Sequence, residues 1–186
     1  MGQPHQLPPL VVVMGVAGSG KTSVGEALAE HDRLDFADAD EFHPQDNIDK
    51  MAAGHPLDDE DRAPWLEAIG RWLALHERTG AVATCSALKR RYRDQLRAAS
   101  PRTVFCHLRG DKGTVEDRVA GRTDHFMPAT LVQSQYDTLE PLAPDEVGVE
   151  IDLNMTIPDI LGTFAAWYAQ LPSSPEAPEP WTTPPS

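Results

Sequence analysis

The chain has 186 residues, 40% hydrophobic and 24% charged, which is the size and composition of one globular domain with a sizeable core. Its formal net charge of −13 argues against nucleic acid or an anionic membrane as the main partner. No window approaches the roughly 20 apolar residues that cross a bilayer, the polar residues 1–9 lack the plan of a signal peptide, and two cysteines form neither a disulfide framework nor a zinc spacing. Buried free thiols at Cys85 and Cys106 suit a reducing cytoplasm, which is the expected location.

Residues 10–14 are an uninterrupted apolar run, as in a central strand buried on both faces. A helix is predicted over 20–31, with Val24, Ala27 and Leu28 on one face, then a weak strand over 34–37 and a short helix over 46–53 ended by Gly54. The acidic run Asp58-Asp59-Glu60-Asp61 suits the positive end of a long helix over 58–79. Its stripe of Trp65, Leu66, Ile69, Trp72 and Leu73 reads as core. Strands follow over 81–85, 103–108 and 147–153, and helices over 88–99, 112–122, 129–139 and 158–171. This alternation predicts an α/β, three-layer fold: a five-stranded parallel sheet with helices on both faces. Residues 1–9 are read as an extension, 10–171 as the domain with a small mobile lid at about 121–135, and 172–186 as a disordered Pro-rich tail.

Between the first strand and the first helix stands Gly15-Val16-Ala17-Gly18-Ser19-Gly20-Lys21-Thr22, followed by Ser23, which meets the pattern G-x-x-x-x-G-K-[ST] in full and in its required context. Such a loop wraps backbone N–H groups around phosphate oxygens at a helix N-terminus. Lys21 would reach the β- and γ-phosphates of ATP, and the Thr22 hydroxyl would ligate Mg²⁺. Asp38 and Asp40 end the second strand and should face the same crevice, one serving the metal and the other accepting a proton from an attacking hydroxyl. The third strand carries no such acid, since Ser86 follows Cys85, and this favours Asp38 as the acid for Mg²⁺.

Only 16 Lys and Arg are present, and five fall between Lys89 and Arg97, a concentration that suits a small, highly charged anion. For Arg90, Arg91 and Arg97 a solvated helix face is an equal reading. Lys89 and Arg93, four apart, are expected to point at the cleft, and Arg118 and Arg122, also four apart, to share a helix face beside a mobile segment that closes over phosphates. The seven histidines show no metal-binding spacing, and His43 and His125 are placed to hydrogen-bond a polar substrate.

Four stretches, MGVAGSGKT, DADEFHPQDNIDKMAAGHPLDDEDRAPWL, CSALKRRYRD and GRTDHFMPATLVQSQYDTLEPL, resemble the gluconokinases, small P-loop kinases related to shikimate and adenylate kinases. The resemblance runs over about residues 11–167. It implies transfer of phosphate from ATP, with Mg²⁺, to the 6-hydroxyl of D-gluconate. It further implies Arg118 against the adenine, Arg122 on phosphate, Asp40 as the group that orients and deprotonates the acceptor with Asp38 near Mg²⁺, contacts to gluconate from His43, Arg62, Lys89, Arg93 and His125, and a homodimer. The competing readings are a kinase of another small hydroxy acid such as shikimate, and a regulatory module that holds ATP without transferring phosphate. Asp40 and the paired arginines speak against the latter.

Overall fold

In the computed structural model, which describes residues 6–121 and 129–172, five strands run in parallel: β1 (Leu10–Met14), β2 (Asp35–Asp38), β3 (Ala81–Thr84), β4 (Val104–Arg109) and β5 (Gly148–Asp152). Their order is β2-β3-β1-β4-β5. The connections from β1 and β3 therefore leave toward opposite sides, and a crevice opens at the carboxyl end of β1, where ligands bind in sheets of this kind.

Seven helices are described: α1 (Lys21–Asp32), α2 (Gln45–Ala52), α3 (Asp59–Leu75), α4 (Arg90–Ala99), α5 (Lys112–Ala120), α6 (Ala129–Thr138) and α7 (Ile157–Tyr168). Every residue of β1 is buried, and the alternation of its side chains separates two cores. Val11 and Val13 pack with Val24 and Leu28 of α1, Val115 of α5 and Phe164 of α7. Leu10, Val12 and Met14 pack with Trp65, Leu66 and Ile69 of α3 and Leu96 of α4. This is the expected three-layer arrangement, and the tryptophan Trp65 belongs to the core as its spacing predicted.

Three local features differ from the sequence expectation. A 3-10 helix, Ala39–Phe42, follows β2, started by Asp38, whose side chain accepts from the Asp40 N–H. Helix α3 ends at Leu75, where His76 turns back to bond the Trp72 carbonyl, and only turns lead on to Gly80 at φ +74°. Helix α5 ends at Ala120 with Gly121 as its cap. Arg122 and His125 lie outside the described residues, as does the tail from 173 on. Of the segment expected as a lid, residues 129–135 form the first part of α6, whose Val132 is buried in the core.

His107, on β4, lines a cavity of about 650 Å³ to which no residue of the Gly15–Thr22 loop contributes. Burial lowers its pKa from 6.5, Glu150 at 3.4 Å opposes that, and Arg93 and Arg109 add to it. A group lowered in the folded state stabilises the fold above its unfolded pKa, and that contribution is lost as pH falls below about 6.5. The urea midpoint is therefore expected to be lower at pH 5.5 than at pH 7.5, and His107→Gln is expected to narrow the difference; an unchanged difference would assign it to other groups.

Candidate active site

The loop after β1 turns through Gly15 at φ +148°, Gly18 at +80° and Gly20 at +94°, conformations that side chains with a Cβ resist. A Cβ on Gly18 would also fall 2.6 Å from Val119 of α5, so the loop lies directly on that helix. The loop leads directly into the N-terminus of α1, which begins at Lys21. Lys21 Nζ donates to the carbonyls of Gly15 and Val16, each at 3.0 Å, and so curls back over the loop it follows. Thr22 Oγ1 lies 3.4 Å from Asp38 Oδ2, joining the start of α1 to the end of β2.

Asp40 stands on the 3-10 helix with its side chain 88% exposed, and His43 Nε2 is 4.0 Å from its Oδ1. The His43 ring is almost buried and stacks on Trp65 with centroids 4.4 Å apart and planes 9° from parallel. Trp65 in turn donates from Nε1 to the Ala39 carbonyl at 2.7 Å, which pins the 3-10 helix to α3. Burial lowers the pKa of His43 from 6.5, with Asp40 opposing and Arg62 assisting, so the ring is neutral at physiological pH. Beneath these groups the Cys85 thiol is buried and pushed up to about 12; among the charges it feels are those of Lys21, Asp40 and Arg62. The residues expected from the sequence at Lys21, Thr22, Asp38, Asp40, His43 and Arg62 are thus brought together around the ends of β2 and β3.

On the other side of the loop a cleft of about 430 Å³ is lined by Ser23, Arg118, Gly121, Leu153, Met155 and Ile157, among others. Arg118 reaches from α5 across its wall to the Leu153 carbonyl at 2.7 Å. A cleft of mixed polar and apolar lining next to a phosphate-type loop, walled by a guanidinium, has the chemistry to take a purine base.

The profile of the family described as shikimate kinase matches residues 17–139. The gluconokinase of Gluconobacter oxydans (strain 621H) is 45% identical over 77% of this chain and 82% of its own length. The thermosensitive gluconokinase of Escherichia coli (strain K12) is 44% identical over 80% and 81%. A crystal structure of a gluconokinase from Sinorhizobium meliloti 1021 superimposes with a TM-score of 0.80 at 44% identity, covering 89% of this chain and 94% of that one. The chain belongs to the gluconokinase family. As a kinase of this family, it takes ATP as its phosphoryl donor.

The gluconokinase-like stretch that begins at Asp38 and ends at Leu66 runs through the 3-10 helix and α2 into α3. Asp58 and Asp61 close a capping box at the start of α3, and Lys50 of α2 bonds Asp61. Asp59, the first residue of the helix, collects Lys89 at 3.1 Å, Arg91 at 2.8 Å and the Tyr92 hydroxyl. The Tyr92 ring carries Arg62 on it at 5.7 Å and Lys89 at 5.6 Å from its centroid. Arg62 and Lys89 therefore share one aromatic platform, and neither Tyr92 nor Asp59 was foreseen as a part of it. The motif D-x-D-R in the sequence was the available signal for Asp59.

Arg93 is corrected. It does not reach the cleft: it is wholly buried, with Nε donating to Glu146 Oε1 at 2.7 Å and NH2 to Oε2 at 2.9 Å, while NH1 reaches the Ala87 carbonyl at 2.9 Å. The reason is the start of α4. Lys89 is its cap, with extended backbone at φ −99° and ψ 144°, so the helical spacing that would align residues 89 and 93 begins only at Arg90. The other cations of this segment also meet acids, Arg90 with Asp145 and Arg97 with Asp94 and Glu146.

Proposed function

We propose that this chain is a gluconokinase that transfers the terminal phosphoryl group of ATP to the 6-hydroxyl of D-gluconate, giving 6-phospho-D-gluconate and ADP. The observation that carries this reading is the meeting of Thr22, Asp38 and Asp40 at the carboxyl end of β2, beside Lys21 of the glycine loop, in a chain 45% identical to a gluconokinase. In it the Gly15–Ser23 backbone, that is Gly15, Val16, Ala17, Gly18, Ser19, Gly20, Lys21, Thr22 and Ser23, cradles the phosphates. Lys21, steadied by the loop carbonyls of Gly15 and Val16, reaches the β- and γ-phosphates, and Arg118 lies against the adenine. Arg122 and His125 are included in the proposal as the phosphate clamp and a substrate contact.

The oxygen pair of Thr22 and Asp38 fits Mg²⁺, a hard cation that takes one or two protein oxygens and keeps its remaining positions for phosphate and water. Bound there, Mg²⁺ would neutralise charge on the transferring phosphates. Asp40 orients the acceptor hydroxyl and accepts its proton, and neutral His43, braced on Trp65 beside Asp40, contacts the sugar acid. Arg62 and Lys89 hold the carboxylate of the sugar acid, with Asp59 fixing the Lys89 ammonium in advance. A small-molecule partner, rather than nucleic acid or a membrane, agrees with the net charge of −13. The proposal includes a cytoplasmic homodimer, on the family resemblance.

The direct test measures ADP release with Mg·ATP against D-gluconate, shikimate, glycerate and water alone. Release with gluconate only, with 6-phosphogluconate as product, is expected. Equal release with shikimate or glycerate would overturn the acceptor, and no release with any acceptor would overturn the kinase.

A further inference from the structure

Gln135 lies on α6, 118 residues from the phosphate loop, yet its Oε1 accepts the Ala17 N–H at 2.6 Å. That N–H and the Val16 carbonyl belong to one peptide unit, which is planar and turns as a whole. The same Val16 carbonyl accepts from Lys21 Nζ at 3.0 Å and from the Ser19 N–H at 3.2 Å. One rigid plane therefore joins Gln135 on one edge to Lys21 on the other. Rotation of that peptide would carry the anchor of Lys21 with it.

Helix α6 is itself held at several points. Val132 is buried in the core, and the Tyr136 hydroxyl donates to the Gly110 carbonyl at 2.9 Å. Just beyond its end the Glu140 N–H donates to the Leu88 carbonyl at 2.8 Å, and the Glu140 carboxylate accepts the Arg90 N–H at 2.7 Å. These last two bonds bracket Lys89. A single helix thus spans from the peptide that steadies Lys21 to the residues on either side of Lys89.

We propose that Gln135 is a positioning residue for phosphoryl transfer: its side-chain oxygen fixes the Val16–Ala17 peptide, and so the direction in which Lys21 is presented. The inference rests on the gluconokinase reading for its acceptor. A misplacement of about 1 Å at a reacting group costs about a hundredfold in rate, whereas ground-state binding, spread over the whole loop, is less sensitive.

The test compares Gln135→Met, which keeps the length and removes the acceptor, with Gln135→Glu, which keeps an acceptor oxygen. Gln135→Met is expected to lower kcat by about ten- to a hundredfold, to change KM for ATP and gluconate by less than about threefold, and to leave the melting temperature close to wild type. Gln135→Glu is expected to recover part of kcat. Wild-type kcat in Gln135→Met, equal losses in both variants, or a fall in kcat that tracks a fall in stability would each overturn the inference. If the wild type does not phosphorylate gluconate, the acceptor reading fails instead. The Gln135 comparison is then read in ATP hydrolysis to water, where the same order of the three proteins is expected and its absence would overturn the inference.

Discussion

Asp40→Asn is expected to lower kcat for phosphorylation of gluconate by about a hundred- to ten-thousandfold, the range over which a positioned general base acts. The substitution keeps the shape of the side chain. The backbone N–H of residue 40, which bonds Asp38 and starts the 3-10 helix, is also unaffected. The Thr22–Asp38 pair and the phosphate loop are built from other residues, so ATP binding should change by no more than a few fold. Calorimetry with a non-hydrolysable ATP analogue, beside steady-state kinetics, separates the two quantities. Asp38→Asn should behave differently, raising the Mg²⁺ concentration needed for half-maximal activity. Equal Mg²⁺ dependence in both variants would refute the division of labour between the two carboxylates.

The largest effect on stability is expected at the Arg93–Glu146 pair. Both side chains are fully buried, and the two Glu146 oxygens are filled by Arg93, Arg97 and the Ala143 N–H. Removing one partner strands the other, so Glu146→Ala is expected to cost about 3–5 kcal/mol in urea unfolding. Replacing both by apolar residues, as in Arg93→Met with Glu146→Leu, should cost less than either single change, because neither member of the pair is left buried without the other. A double variant at the sum of the two singles would contradict the pairing. Burial alone would raise the Glu146 pKa, but its bonds to Arg93, Ala143 and Arg97 outweigh that and hold it at about 2. A lowered carboxylate stabilises the fold above its ordinary value of 4.5, and this contribution is lost as pH falls from there toward about 2. The pair also holds the loop before Lys89, where Ala87 sits at φ +44° and gives its carbonyl to Arg93. Activity should therefore weaken along with stability in these variants.

Features that depend on neighbours in sequence were legible without the structure. Five apolar residues followed by a glycine loop, Lys21 and Thr22 specify a buried strand, a phosphate cradle and a helix start, since each interaction closes within a few residues. The acidic start of α3 is another such case, because its capping box spans only Asp58 to Asp61. Asp38 and Asp40 could be assigned to the crevice because strand ends in a parallel sheet always face it.

What the tertiary structure alone decided are the pairings over long separations. Helical spacing placed Arg93 beside Lys89, but the extended cap at Lys89 breaks that spacing, and the carboxylate that draws Arg93 inward lies 53 residues away. Tyr92 beneath Arg62 and Lys89, Trp65 beneath His43, and Gln135 on the Ala17 N–H carry no local signature either. A side chain's partner across the fold is set by which elements the sheet order brings together, and that order is a property of the whole packed core rather than of any one segment.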